Sequence, residues 1–213
     1  PTRAGAFDIN LGCSGYIYGL GLAKGMIETS QANNVLLITA ETYSKFIQPE
    51  DKSVRTIFSD GAAATLISAE NTDSPPIGPF VYGTDGSGFK NLIVSDGGMR
   101  NPNKKEYQKT KDPSCSIGTN ALTMNGPAIF NFTLNAVPKL IDQLLEKSQL
   151  CINDIDYFVF HQANQFMLES LRIKIKIPKE KFILSLEDYG NTVSSTIPIA
   201  LKNKTGDLTI KNN

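Results

Sequence analysis

The sequence has no tryptophan, one histidine and three cysteines among its 213 residues, and no excess of charge of either sign. The balance of 21 basic and 21 acidic residues argues against a surface for nucleic acid or an anionic membrane. No apolar run approaches the roughly 18 residues of a membrane-spanning helix. Three cysteines without metal-ligand spacing argue against a disulfide framework or a metal site. These absences predict a globular protein in a reducing, cytoplasmic setting.

Of the three cysteines, Cys13 has the neighbouring sequence most typical of a reactive thiol. It ends a short apolar segment, residues 7–12, and directly precedes a stretch from Gly15 with helical character. A thiol at a strand-to-helix junction lies near the positive end of the helix dipole, which favours the thiolate. The alternative is a buried small hydrophobe, the commonest fate of a free cysteine. For Cys115 and Cys151 we expect no role.

His161 and Asn191 also follow predicted strands. His161 ends the β-like run 157–160, and any imidazole chemistry of this chain must use it, because it is the only histidine. Asn191 follows the apolar run 182–186 and a polar turn. Open α/β sheets usually place their chemistry just past strand ends, so we expect a nucleophile, a base and an amide to converge. The alternatives are a structural histidine and an ordinary Gly-Asn turn.

The order of apolar patterns predicts an α/β layered fold. Residues 6–11, 15–29 and 35–40 are typical of a strand, a helix and a strand, which predicts a βαβ unit with a parallel sheet. The later predicted elements are an interrupted helix from residue 121 to 145, a strand at 154–160, a helix at 164–174, a strand at 182–186 and a helix at 196–203.

Three other stretches have distinctive composition. The Gly- and Ala-rich residues 60–66 predict close backbone approach, either to a partner strand or to a ligand. Residues 71–76, rich in polar residues and proline, form the best candidate boundary between two halves. Residues 94–119 are polar and predict a long surface excursion.

Four motifs follow one another along the chain: Phe7-Asp8 with Cys13-Ser14-Gly15, residues 58–64, residues 161–164, and Gly190-Asn191-Thr192 followed by Pro198. In this order and spacing the chain resembles the β-ketoacyl-acyl carrier protein synthase III family of the thiolase superfamily. The resemblance implies a thiolase-like layered α/β fold (α-β-α-β-α) with duplicated halves. Residues 1–71 would be the remainder of the N-terminal half and residues 72–213 an incomplete C-terminal half. It also implies a segment before Pro1 and two further strands beyond Asn213.

The same resemblance implies a reaction. Cys13 takes the acyl group of an acyl-coenzyme A, and malonyl-acyl carrier protein then loses carbon dioxide and attacks the acyl-cysteine. His161 and Asn191 are implied as two neutral donors that stabilise the enolate. We expect a homodimer that needs no cofactor and initiates fatty acid biosynthesis. The alternatives are an acyltransferase of a secondary pathway, with an amine, alcohol or β-keto acid as acceptor, and an inactive partner subunit or thioester-binding module.

The resemblance further implies two sets of contact residues. Those for the acyl chain and coenzyme A are Lys52, Phe58, Met124, Gly126, Phe130 and Asn164. Those for acyl carrier protein are Gln162, Ala163, Asn164, Gln165 and Phe166. For the apolar members the alternative is plain core packing. Phe166 and Lys52 stand where better-known members carry arginine, and Pro127 replaces an asparagine, so carrier docking and the identity of the acceptor are open.

Overall fold

The computed structural model describes residues 3–71, 73, 76–97, 99 and 121–204. The helices are α1 (Gly15–Glu28), α2 (Lys52–Arg55), α3 (Gly126–Ser148), α4 (Gln165–Ile175) and α5 (Thr196–Lys204). The strands are β1 (Asn34–Glu41), β2 (Gly61–Ser68), β3 (Leu92–Val94) and β4 (Leu122–Met124). Short 3-10 helices span Tyr43–Phe46, Gly86–Asn91, Ile152–Asp154, Lys179–Lys181 and Val193–Ser195. The predicted mixed α/β class is confirmed.

The predicted βαβ unit with a parallel sheet is wrong, because its first strand is absent and its second strand has an antiparallel partner. β1 pairs with β2 in an antiparallel ladder that runs from Asn34↔Ser68 to Glu41↔Gly61. Residues 6–11 form no strand, because no described residue offers them a continuous backbone partner. Phe7 in that segment is 63% exposed. The segment therefore reaches Cys13 and α1 without regular secondary structure.

The predicted strands 154–160 and 182–186 are reduced to one parallel bridge, Phe158↔Phe182. The backbone N–H of Phe158 donates to Lys181 O at 2.7 Å, and that of Ile183 donates to Phe158 O at 3.0 Å. The segments therefore lie side by side, as the sequence predicts, but their ladder is too short for a strand. A second parallel bridge joins Phe58 to Asn191. These two bridges fix the chain just before His161 and at Asn191.

The helices agree more closely with the sequence. α1, α4 and α5 match the predicted segments within two residues at each end. Asn125 caps α3 by accepting a hydrogen bond from the Ala128 N–H at 3.1 Å. Pro138 lies inside α3 without ending it, so the predicted interruption is wrong. The apolar face of α4 packs into a buried cluster with both bridged segments: Phe158, Leu168, Leu171, Ile175, Ile177 and Phe182.

A second buried cluster of Val54, Phe58, Leu122 and Val193 combines residues from both sides of the predicted boundary at 71–76. The division into residues 1–71 and 72–213 stays a prediction, because Thr72, Ser74 and Pro75 lie outside the described residues. Most of the predicted excursion at 94–119, with Cys115, also lies outside them. In the part of the chain that the structure describes, no helix is long and apolar enough to cross a membrane.

Candidate active site

The turn at residues 190–196 places Asn191. Gly190 has a φ of +62°, and a Cβ at this position would lie 3.1 Å from Ile57 O, so the turn requires glycine. The Asn191 N–H donates to Ile57 O, and the Ser59 N–H donates to Asn191 O, both at 3.0 Å. Asn191 is only 4% exposed. Its Oδ1 accepts the Val193 N–H at 2.9 Å, which leaves the Nδ2 group as a donor for another molecule.

His161 reaches the same turn from the other side. Its Nδ1 lies 2.8 Å from Oγ1 of Thr196, the first residue of α5. Burial lowers the pKa of His161 to about 4, and a backbone hydrogen bond with Val193 opposes that shift only in part. The ring is therefore neutral at pH 7. A neutral imidazole can donate one hydrogen bond and accept another without placing a charge in the site.

Cys13 lies two residues before the start of α1, and Ser14 is the N-cap. Its half-buried side chain packs against the cluster that contains Phe58 and Val193. A Cβ on the preceding Gly12 would lie 3.6 Å from Val193 Cγ1. His161 and Asn191 both form hydrogen bonds with the backbone of Val193, and Cys13 packs against the cluster that contains it, although these segments lie up to nearly 180 residues apart.

The thiol of Cys13 is protonated at rest. Burial raises its pKa to about 12, the residue's own backbone hydrogen bond lowers it in part, and the charge of Glu41 raises it further. The sequence places Cys13 correctly at a helix start, but the predicted preference for the thiolate is wrong. Desolvation penalises the charged form more than the helix start favours it. With the thiol near 12 and the imidazole near 4, the resting pair is neutral and contains no thiolate–imidazolium ion pair.

Alkylation of Cys13 by iodoacetamide is therefore expected to accelerate about tenfold per pH unit between about pH 7 and pH 10. Only the thiolate reacts, and its fraction grows tenfold per unit below the pKa. Peptide mass spectrometry on the full-length protein would follow the Cys13 peptide, and Cys13→Ser gives the background. A rate that reaches a plateau near neutral pH would show an activated thiolate and contradict this assignment.

Two residues that the sequence analysis missed lie beside the thiol. Tyr43 stacks on Phe58 with ring centroids 5.4 Å apart, and its hydroxyl would lie 3.8 Å from a Cβ on Gly12. Burial, the neighbouring Cys13 and Glu41 raise the pKa of Tyr43. Glu41 accepts the Ser194 hydroxyl at 2.6 Å. Glu41 is the last residue of β1, so the rule that places chemistry at strand ends could have indicated it. Neither a glutamate nor a tyrosine matched a catalytic pattern in the sequence.

Of the two alternatives for residues 60–66, the structure shows a partner strand, because β2 pairs with β1. The start of β2 also lies against the turn that carries Asn191. A Cβ on Gly61 would lie 2.6 Å from Thr192 Cγ2, so any larger residue at Gly61 would displace the turn. The Ser195 hydroxyl has two acceptors within reach of its one proton, Thr39 Oγ1 at 3.0 Å and Gly61 O at 3.3 Å. The antiparallel ribbon therefore supports the turn that carries Asn191.

An open, largely apolar groove of about 400 Å³ lies between the start of α3 and the start of α4. It is lined by Ile57, Met124, Gly126, Pro127, Ile129, Phe130, Asn164, Phe166 and Met167. Phe130 and Phe166 stack across it with centroids 5.3 Å apart, and Phe166 remains 74% exposed. Asn164 caps α4 by accepting the Met167 N–H at 2.8 Å, so its Nδ2 group is the donor on the groove wall.

The structure divides the remaining predicted contacts. Phe58 lies in the cluster beside Cys13 rather than in the groove, and Lys52 is exposed at the start of α2, also outside the groove lining. Ala163 is half-buried and Gln165 is exposed on α4.

Gln162 is 1% exposed and joins the two bridged segments. Its Nε2 donates to Phe160 O at 2.7 Å, and its Oε1 accepts the Ser185 N–H at 2.8 Å. The prediction of a carrier-protein contact is therefore wrong for this side chain, whose polar atoms hold the fold together.

The fold is that of solved thiolase-like 3-oxoacyl-(acyl-carrier-protein) synthases. A 2.1 Å crystal structure of a 3-oxoacyl-(acyl-carrier-protein) synthase III superposes with a TM-score of 0.94 at 51% identity, covering 99% of this chain and 63% of that one. The Burkholderia xenovorans 3-oxoacyl-(acyl-carrier protein) synthase gives 0.82 at 38% identity, covering 97% and 58%. The predicted thiolase-like fold is confirmed.

The chain belongs to the 3-oxoacyl-[acyl-carrier-protein] synthase III family. The family's N-terminal model matches residues 7–86 and its C-terminal model matches residues 145–213. The β-ketoacyl-[acyl-carrier-protein] synthase III of Clostridium novyi is 39% identical over 94% of this chain and 59% of its own length. That of Caldanaerobacter subterraneus is 35% identical over 93% and 58%. The chain thus spans about three fifths of these relatives.

Proposed function

We propose that the protein is a β-ketoacyl-acyl carrier protein synthase III: an acyltransferase that condenses an acyl group from acyl-coenzyme A with malonyl-acyl carrier protein. The observation that carries the proposal is the convergence of Cys13, His161 and Asn191 on Val193 in a chain of this family. The initiating step of fatty acid biosynthesis in the cytoplasm is the role we assign.

In the first half-reaction Cys13 attacks the thioester carbonyl of acyl-coenzyme A and retains the acyl group as a new thioester. The attack releases the thiol proton and needs an acceptor for it, and His161, the only histidine of the chain, is the residue we propose. This transfer uses only side chains of the protein, so the proposed reaction needs no cofactor.

In the second half-reaction malonyl-acyl carrier protein loses carbon dioxide, and the enolate carbon attacks the acyl-cysteine. Asn191 suits the enolate oxygen, because Oδ1 is held by Val193 N–H and Nδ2 remains to donate. An amide donor carries no charge and does not repel the malonyl carboxylate, as a buried aspartate would.

The groove between α3 and α4 is the proposed path of the pantetheine arm. Its open form and volume of about 400 Å³ suit a slender chain, and the Nδ2 group of Asn164 offers a donor to an amide carbonyl of the arm. The exposed Phe166 at its rim, with Gln165 beside it, is the proposed contact for the carrier protein. The alternative is an acyl acceptor other than malonyl-acyl carrier protein. Phe166 and Pro127 favour it, because they lack the polar side chains of the arginine and asparagine found at these positions in better-known members.

Replacing Phe166 with arginine is expected to raise turnover with malonyl-acyl carrier protein at low ionic strength, by an amount on the order of tenfold. Carriers are acidic, and a positive charge at the rim speeds encounter without adding a buried contact. Turnover with malonyl-coenzyme A should change little, because that substrate brings no carrier surface. Initial rates at low and high salt would measure both.

Ile173→Arg is the matched control, since Ile173 is 64% exposed on the same helix but lies outside the groove lining. It adds the same charge at a different place. An equal gain from Ile173→Arg would show a general charge effect. No gain from Phe166→Arg would mean that the carrier docks elsewhere.

We also propose a two-fold homodimer. Leu36 and Leu66 are directly opposite in the β1–β2 ribbon, and with Ile38 they form an apolar face in which each side chain is more than half exposed (59%, 66% and 63%). Exposed apolar patches on a sheet mark surfaces that another chain segment covers. Static light scattering of the full-length protein tests the subunit number, and a monomer at micromolar concentration would exclude the dimer.

Intact mass spectrometry of the full-length protein after incubation with a panel of acyl-coenzyme A thioesters tests the proposed function. A gain of one acyl mass, mapped to the Cys13 peptide, is the expected result. The absence of any acyl adduct across the panel would contradict it.

A further inference from the structure

Glu41 holds a carboxylate at the edge of the site. It is the last residue of β1, it pairs with Gly61 across the ribbon, and its side chain is half-buried. Its Oε1 accepts the hydroxyl of Ser194 at 2.6 Å, and Ser194 is only 5% exposed. Neither of the two ion pairs in the described part of the chain involves Glu41. The turn that carries Asn191 therefore fixes this carboxylate in place, and no cation among the described residues forms an ion pair with it.

The carboxylate lies close to Cys13. Ser194, which binds it, also lies against the start of α1, because a Cβ on Gly15 would be 3.5 Å from Ser194 Cβ. α1 starts two residues after Cys13. The charge of Glu41 contributes to the raised pKa of both Cys13 and Tyr43, and these two side chains pack against the same buried cluster. Contacts and electrostatics thus agree that Glu41 adds a negative charge next to the thiol.

The proposed reaction brings two thioesters to one thiol. The acyl group stays on Cys13 while the malonyl group enters through the groove, so the acyl group must lie on the other side of the thiol. Ile57 and Met124 line the groove and also pack against the buried cluster, so the groove leads to that cluster. Tyr43, two residues after Glu41, packs against the cluster together with Cys13. An acyl chain on Cys13 therefore lies along this apolar wall and comes close to the carboxylate.

A fixed carboxylate beside an apolar wall discriminates by charge. An uncharged acyl chain gains apolar contacts there, whereas a chain that ends in a carboxylate places a second negative charge near Glu41. Such like charges repel strongly in a partly buried site, because solvent and salt screen them less than on a surface. Malonyl is a group of this kind. Its transfer to Cys13 would occupy the thiol with the extender, so a site that uses both thioesters needs to prevent that transfer.

We infer that Glu41 is a specificity-determining residue that keeps acyl groups with a terminal carboxylate off Cys13 and reserves the thiol for uncharged acyl groups. The inference rests on the proposed function. In the permitted transfer Cys13 Sγ bonds to the acyl carbon, the bond from that carbon to the coenzyme A sulfur breaks, and the thiol proton ends on the departing sulfur. Glu41 forms no bond in this step. During condensation the malonyl group stays on the groove side, next to Asn191.

The charge at the thiol is measurable without any substrate. Iodoacetate and iodoacetamide alkylate the same thiolate, so the ionisation of Cys13 cancels in the ratio of their rates at one pH. In the full-length protein we expect iodoacetate to be disfavoured at Cys13, relative to the neutral small thiol N-acetylcysteine amide, on the order of tenfold. Glu41→Gln retains the shape and an oxygen that can accept the Ser194 hydroxyl. It should return the ratio to nearly that of the small thiol.

Asp60→Asn is the matched control. Asp60 precedes Gly61, the partner of Glu41 in the ribbon, but its exposed carboxylate accepts hydrogen bonds from Ser44 instead. It does not contribute to the pKa shift of Cys13. Removing this charge should leave the iodoacetate ratio at Cys13 unchanged. An equal change in Asp60→Asn and Glu41→Gln would show a general charge effect and overturn the inference.

Butyryl- and succinyl-coenzyme A carry the test to acyl transfer, because their acyl groups differ only in a terminal methyl or carboxylate. Peptide mass spectrometry of Cys13 should show fast loading of butyryl and slow loading of succinyl, with Cys13→Ser as the background. In Glu41→Gln the rate for succinyl relative to butyryl should rise on the order of tenfold.

An iodoacetate ratio at Cys13 equal to that of the small thiol in the unmodified protein would overturn the inference, even if Glu41→Gln fails to fold. So would butyryl loading with an unchanged preference in Glu41→Gln, and in that case the proposed function stands. If the iodoacetate ratios follow the expectation but no acyl-coenzyme A acylates Cys13, then the proposed function fails while the charge effect of Glu41 on the thiol is confirmed.

Discussion

Cys13→Ser is expected to abolish acylation of the full-length protein by acyl-coenzyme A. A serine hydroxyl in the same desolvated position is far harder to ionise than a thiol, and removing a catalytic nucleophile typically costs about 10⁶ in rate. Intact mass should therefore show no acyl adduct over times in which the unmodified protein is fully converted. The substitution removes no buried volume beyond one sulfur, so the fold should persist.

Cys151→Ser is the control for this experiment, because Cys151 is the other described free cysteine and is exposed. It should acylate like the unmodified protein. Acylation that survives in Cys13→Ser, or an acyl group that maps to Cys151, would mean that Cys13 is not the nucleophile.

Asn191→Ala is expected to reduce decarboxylation of malonyl-acyl carrier protein by about 10²–10³ while acylation of Cys13 remains measurable. The Nδ2 group is the donor that the site offers to the enolate oxygen, and acyl transfer to Cys13 forms no enolate. Release of carbon dioxide and the mass gain on Cys13 measure the two half-reactions separately. His161→Ala should lower decarboxylation as well, because a neutral imidazole is the second donor implied for the enolate oxygen.

Asn191→Asp sharpens this test. In the unmodified protein the Val193 N–H donates a hydrogen bond to Asn191 Oδ1 at 2.9 Å. A carboxylate oxygen can accept the same hydrogen bond, so we expect the turn to be preserved. The substitution removes the N–H donor and adds a charge that repels the malonyl group. Decarboxylation should therefore fall at least as far as in Asn191→Ala. Equal loss of both half-reactions in the two Asn191 variants, with unchanged thermal unfolding, would contradict the assigned role.

Local patterns in the sequence predicted the helices and the convergence of the site segments. The strand-end rule indicated Cys13, His161 and Asn191 because each follows an apolar run, and the structure brings all three to Val193. The parallel βαβ unit could not be judged in the same way. Residues 6–11 have the composition of a strand, but whether a strand forms depends on a pairing partner that apolar alternation does not identify.

The protonation state of the site was also beyond the sequence. A helix start next to Cys13 was visible. The burial that raises the pKa of its thiol to about 12 was not, because Cys13 packs against a cluster of residues distant along the chain: Val54, Phe58, Leu122 and Val193. Gln162 shows the same limit: its motif indicated a surface contact, but its side chain is buried and holds the two bridged segments together through Phe160 O and the Ser185 N–H. The positive φ of Val193 could not be predicted either, because a β-branched residue rarely adopts that conformation.

The most direct test of the central claim is the product of the full-length protein supplied with an acyl-coenzyme A and malonyl-acyl carrier protein. Mass spectrometry of the carrier should show a β-ketoacyl thioester two carbons longer than the acyl group supplied, with one carbon dioxide released per product and none formed by Cys13→Ser. Consumption of acyl-coenzyme A without a β-ketoacyl carrier, or with the acyl group found on an amine or alcohol, would contradict it.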